Sequence, residues 1–69
     1  MDPVHKELES RRKAIAKELE LLFKANMKIT DWDVPEADDR EAAKMLLQIM
    51  HEELDKIQAD VEAGKYDNY

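Results

Sequence analysis

At 69 residues, with no cysteine and a net charge of −6, the chain is one small acidic domain that neither disulfides nor thiolate metal sites can stabilise. Charged residues make up 41% of it, and it contains one glycine and two prolines, a composition that predicts an all-α protein. No apolar run approaches the roughly 20 residues of a membrane span, and the N-terminus lacks the apolar segment of a signal peptide, so we expect a cytoplasmic protein that does not contact membranes.

The first predicted helix spans about residues 3–29. Asp2 suits its N-cap and Pro3 its first position, where the missing N–H costs nothing. The helix has a seam, the stripe of residues that would face another helix. Its spacing is that of a heptad repeat if two polar residues, Arg12 and Asn26, are counted in it. We expect Arg12 to extend its charge into solvent and Asn26 to set the register between helices. The apolar positions of the seam are Leu8, Ile15, Leu19, Leu22 and Ile29.

An acidic linker follows, at about residues 30–38, and Pro35 forces a turn in it. Two starts for the second helix satisfy the capping-box pattern. In one, Asp33 is the N-cap and Glu36 is the third helical residue. In the other, Asp38 is the N-cap and Glu41 is the third helical residue. The sequence does not decide between them.

The second helix is predicted at about residues 39–63. Gly64 is placed to end it in the left-handed conformation, and residues 64–69 form a short tail. The spacing of its apolar residues again alternates between four and three, which is the pattern of a second seam. The members of that seam are Ala43, Leu47, Met50, Leu54, Ile57 and Val61.

Two long helices with a short linker predict an antiparallel helical hairpin. The seams match when Leu22 faces Leu47 and Leu8 faces Val61. Charge agrees with this arrangement: residues 1–29 hold seven basic and five acidic side chains (+2), whereas residues 30–69 hold four and twelve (−8). The predicted fold is therefore an all-α, antiparallel two-helix hairpin that dimerises into a four-helix bundle.

The loop end of this hairpin carries more apolar residues than one seam needs. Such a surface is unusual on a soluble monomer. Three interpretations remain open: self-association of two hairpins, docking of a partner's helix or groove, or a partly disordered chain. We expect the chain to bind itself and another protein. The predicted patch comprises Leu21, Met27, Trp32, Ala42, Met45, Leu46 and Ile49.

Six carboxylates surround the predicted turn. Acidic residues in the first turn of a helix complement its dipole, which explains most of them structurally. The functional alternative is an acidic inhibitor, of phage or mobile-element type, that occupies the basic nucleic-acid-binding surface of a partner protein. A calcium site is disfavoured because the EF-hand spacing and its glycine are missing. The predicted acidic surface comprises Asp31, Asp33, Glu36, Asp38, Asp39 and Glu41.

Catalytic motifs are absent, so the sequence predicts no enzyme, cofactor or metal site. The pair His51 and Asp55 has the i, i+4 spacing of ordinary charge patterning, and the second His of a zinc-protease helix is missing. Glu52 and Asp55 give an E-x-x-D element similar to that of the all-α nucleotide pyrophosphatases, but the matching E-x-x-E element is missing. Direct nucleic-acid binding is disfavoured because acidic residues interleave with the basic cluster at residues 11–13. The predicted function is non-catalytic protein–protein interaction.

Overall fold

The computed structural model describes residues 2–69, and that part of the chain is all-helical, as predicted. Helix α1 spans Pro3–Ser10, α2 spans Arg12–Asp33 and α3 spans Asp39–Glu62. Residues 34–38 connect α2 to α3. The α3 backbone approaches α2, whereas the α1 backbone approaches α2 but not α3. Packing of α2 on α3 along their full lengths stays a prediction.

The first helix is interrupted, which corrects the prediction of one helix over residues 3–29. It begins as expected: the His5 backbone N–H donates to the Asp2 carboxylate at 2.8 Å, and Pro3 is the first helical residue. At its end the Ser10 hydroxyl donates to the Glu7 carbonyl at 2.6 Å. The Arg11 N–H donates to the Leu8 carbonyl, three residues back, at 3.1 Å. This local hydrogen bonding competes with the regular helical pattern. Arg11, at φ −99° and ψ 1°, therefore separates α1 from α2.

Helix α2 continues to Asp33, beyond the predicted end at residue 29, so the linker is shorter than expected. The Val34 N–H still donates to the Thr30 carbonyl, at 2.8 Å. Val34 itself is not helical, at φ −132° and ψ 77°, because the following Pro35 disfavours the helical conformation of the preceding residue. The proline, and not the first acidic residue, therefore ends α2.

The structure selects Asp38 over Asp33 as the N-cap of α3. The Asp38 carboxylate accepts from the Arg40 N–H at 2.9 Å and from the Glu41 N–H at 3.4 Å. At the other end Gly64 adopts φ +86°, as predicted. The Lys65 N–H donates to the Asp60 carbonyl and the Gly64 N–H to the Val61 carbonyl, which is the Schellman arrangement.

The molecule is elongated and has little interior. Its radius of gyration is 15.9 Å, whereas a compact domain of this length has about 11 Å. No side chain among residues 2–69 is buried. Half-burial on α2 and α3 is concentrated at the loop end, where the two helices meet. The half-buried residues there are Phe23, Asn26, Met27, Thr30, Ala37, Ala42, Ala43, Leu46 and Met50.

Exposed surface is correspondingly large. The chain exposes 6482 Å², whereas a folded monomer of its mass exposes about 4,500 Å². The excess is therefore about 2,000 Å². Most residues of both predicted seams are exposed. The exposed fraction is 44% for Ile15, 51% for Leu54 and 52% for Val61.

Candidate docking surface

An apolar groove runs between α2 and α3 at the loop end. Helix α3 forms one wall, with Ala42, Met45, Leu46 and Ile49. Helix α2 forms the other wall with Asn26 and Thr30, and the linker closes the end with Val34 and Ala37. Two carboxylates also line the groove, those of the cap residue Asp38 and of Glu41 in α3.

The groove continues away from the loop. Asn26, Leu46 and Ile49 line both its loop-end part and its continuation. From Ala42 to Ile57 the α3 wall is about 22 Å long at 1.5 Å per residue. Its further lining is apolar except for one carboxylate, and comprises Leu19, Leu22, Met50, Glu53, Leu54 and Ile57. An elongated apolar groove between two helices has the shape that receives another helix.

The position of the turn changes which seam residues meet. Because α2 continues to Asp33, the turn is centred further along the chain than predicted, and the facing residues shift with it. Thr30 and Ala42 therefore line the loop end of the groove together. Leu47, predicted to face Leu22, is not among the lining residues and is 45% exposed.

At the end of the molecule far from the loop, the open end, α3 does not approach α1. Leu8 and Ile15 line a depression formed by α1 and α2 residues alone. Val61, the predicted partner of Leu8, is not part of it. Arg12 also lies there, and its guanidinium is paired with the Glu9 carboxylate, with 2.9 Å between Nε and Oε2. Arg12 thus extends into solvent, as expected, and its hydrogen bond to the Glu9 carboxylate lowers the pKa of Glu9.

Four members of the predicted patch, Ala42, Met45, Leu46 and Ile49, come together in the groove. Trp32 does not join them. It is 85% exposed and lies with Ala25, Lys28 and Ile29 on another face of α2. Leu21 is exposed and Met27 half-buried, and neither lines the groove.

The Trp32 face nevertheless adjoins the α2 wall of the groove. At 100° per residue, Ile29 lies about 20° around α2 from Leu22, and Trp32 lies about 80° from it in the same direction. Leu22 lines the groove, and Ile29 lies beside Trp32. Ile29 does not line the groove itself, but it lies between Leu22 and Trp32 around the helix.

Asn26 and Thr30 are polar members of the α2 wall, and both are bonded within their own helix. Asn26 Nδ2 donates to the Leu22 carbonyl at 2.9 Å, and Thr30 Oγ1 donates to the Asn26 carbonyl at 2.9 Å. Bonded in this way, they can lie beside apolar side chains at little cost. The register role predicted for Asn26 stays a prediction.

The residues of the acidic surface lie at the ends of two helices and in the linker between them. The prediction that most of them complement the dipole in the first turn of one helix is therefore wrong. Only Asp39 and Glu41 lie in the first turn of α3, with Asp38 as the cap. Asp31 and Asp33 lie in the last turn of α2, where carboxylates oppose the helix dipole. Across the loop, a hydrogen bond and charge repulsion from the Asp39 carboxyl raise the pKa of Asp31.

Residues 2–69 contain no group of three or more His, Asp or Glu side chains placed to hold a metal ion. His51 and Asp55 therefore belong to no such group among these residues. Within the same residues, no helix combines the length and the apolarity needed to cross a membrane.

Comparison of the chain with protein-family models, with curated proteins and with solved structures finds no match.

Val34 was expected beside the patch, whereas Thr30 and Ala37 were not predicted to line the groove. The dipeptide Val34-Pro35 carried the missed signal, because the residue before a proline leaves the helical conformation. Placing the end of α2 there would have brought Thr30 into the helix and Ala37 next to the cap of α3.

Proposed function

We propose that this chain is a non-catalytic protein–protein interaction module: an antiparallel helical hairpin that dimerises into a four-helix bundle through its groove. The observation that carries the proposal is the absence of any buried side chain among residues 2–69, together with an apolar groove between two helices. A chain without an interior gains most of its stability from association.

The excess surface has the size of an obligate interface. About 2,000 Å² per chain, or about 4,000 Å² for two chains, falls in the range of permanent homodimers. At about 25 cal/mol per Å² of apolar area, burying the apolar part of that surface is a large contribution for so small a domain. A second copy supplies a groove of the same length and chemistry.

Substitution in the groove tests this proposal. Leu46→Glu places a charge on the half-buried wall, and we expect loss of the dimer together with loss of helicity by circular dichroism. Gln48→Glu is the matched control, because it adds the same charge about 200° around the same helix. Gln48 is exposed. A fully helical dimer of Leu46→Glu would remove the groove from the proposal.

The adaptor role of the proposed module would use the surface that self-association leaves free. We expect binding of another protein to depend on Trp32 and to persist at high salt, since apolar contacts are not screened. Leu46 and Ile49 would contribute either directly or by maintaining the dimer. Trp32→Ala separates the two contributions if it weakens partner binding while the dimer persists.

The second candidate is an acidic inhibitor of a basic, nucleic-acid-binding surface. The charge of residues 31–41 favours it, because six acidic side chains and one basic side chain concentrate negative charge at one end of the molecule. A lysine-rich peptide serves as the probe. Asp31→Asn with Asp33→Asn should weaken its binding far more than Glu52→Gln with Glu53→Gln, which remove equal charge from α3. Equal losses would contradict this candidate.

A further inference from the structure

We infer that the second copy binds in the opposite direction, so that the loop end of each hairpin lies against the open end of its partner. This inference rests on the proposed self-association and specifies its geometry. The alternative two-fold arrangement places both loops at the same end of the bundle. The distribution of charge separates the two.

Charge is distributed unevenly along the molecule. At the loop end, residues 31–41 hold six acidic side chains and one basic side chain, a net charge of −5. At the open end, residues 6–17 hold five basic and two acidic side chains (+3), and residues 51–62 hold one basic and five acidic (−4), so their sum is −1.

The two arrangements bring different charges together. Loops at the same end would set −5 against −5, at separations within or near the Debye length of about 8 Å at physiological salt. Loops at opposite ends set −5 against −1 and bring the basic residues 6–17 of each copy near the acidic loop of the other. The opposed arrangement therefore has less repulsion and gains contacts between unlike charges.

The apolar surface extends over the whole molecule, whose long axis is 49 Å. It begins near Met45 at the loop end, which is 64% exposed, and reaches Val4 and Val61 at the open end, which are 67% and 52% exposed. Covering Leu8, Ile15 and Val61 requires full overlap of the two copies in either direction. In the opposed direction, the groove of each copy lies against the distal seams of the other.

Distance measurement between spin labels tests the direction. The chain has no cysteine, so Asn68→Cys introduces one labelling site in the exposed tail, remote from the groove residues. In the opposed dimer the two labels lie at opposite ends, about 36 Å or more apart, the length of the 24-residue α3 at 1.5 Å per residue. With both loops at one end, the labels would lie within about 20 Å, two helix diameters.

A second labelling site completes the experiment. Glu36→Cys places a label in the loop, and a mixture of the two singly labelled variants should give a short distance that neither variant gives alone. A dimer with a short Asn68–Asn68 distance overturns the opposed arrangement and leaves the proposed function intact. A monomer by light scattering overturns both. Unlabelled Asn68→Cys and Glu36→Cys must match the original chain in molar mass and helicity.

Discussion

Asp31 is a carboxyl whose pKa the fold raises, through a hydrogen bond and repulsion from Asp39. In the unfolded chain its pKa returns to about 4. The protonated form is thus favoured in the folded state, so its contribution to stability is fully present below about pH 4 and is lost as the pH rises through the folded pKa. We expect Asp31→Asn to raise the melting temperature at pH 7 and to leave it nearly unchanged at pH 3.

The site-specific measurement for Asp31 is an NMR titration of its carboxyl carbon. Asp39→Asn should bring that pKa back toward its ordinary value, whereas Asp33→Asn should have a smaller effect. The ion pairs of Glu9 with Arg12 and Glu20 with Lys24 have the opposite sign, because they lower the pKa of each Glu. Their contribution is lost as the pH falls, so a global pH profile alone does not isolate Asp31.

Asn26 is the polar residue that lines both parts of the groove. A polar side chain at a helix seam lowers stability and restricts the register and the number of associated chains. We expect Asn26→Leu to stabilise the assembly by about 1 kcal/mol and to broaden its mass distribution in sedimentation velocity. Asn26→Ala, which removes the amide without adding apolar volume, is the control. A single, unchanged dimer with Leu at this position would argue against a register role.

The start of α3 depends on Asp38, and its removal should be measurable. Asp38→Ala should destabilise the fold by about 1 kcal/mol, the usual cost of losing an N-cap. Asp33→Ala removes the other capping candidate and should cause no loss, because Asp33 lies at the C-terminal end of α2. Urea unfolding followed by circular dichroism compares the two. Equal losses would contradict the observed start of α3.

Helix ends were predictable where one local signal decides them. Asp2 with Pro3 and Gly64 are such signals, and the structure has the expected caps. The interruption at Arg11 was not predictable from the heptad pattern, because that pattern continues through it; it coincides with a hydrogen bond from the Ser10 hydroxyl to the Glu7 carbonyl. Helix α2 ends shortly before Pro35 and not at residue 29, because the residues between them are compatible with a helix.

Four of the seven residues of the predicted patch lie together in the whole molecule. Ala42, Met45, Leu46 and Ile49 were predicted together because they share one side of a single helix. The place of Trp32 depends on how far α2 continues and on how α2 is rotated against α3, which are tertiary quantities. Leu46, and not the predicted seam residue Leu47, lines the groove.

We propose that this chain completes its fold by associating with a second copy. Molar mass by light scattering on a sizing column, over a range of protein and salt concentrations, is the decisive measurement. We expect a stable species of twice the chain mass of 8.1 kDa, present at low and at high salt. A fully helical species of 8.1 kDa at every concentration would contradict it.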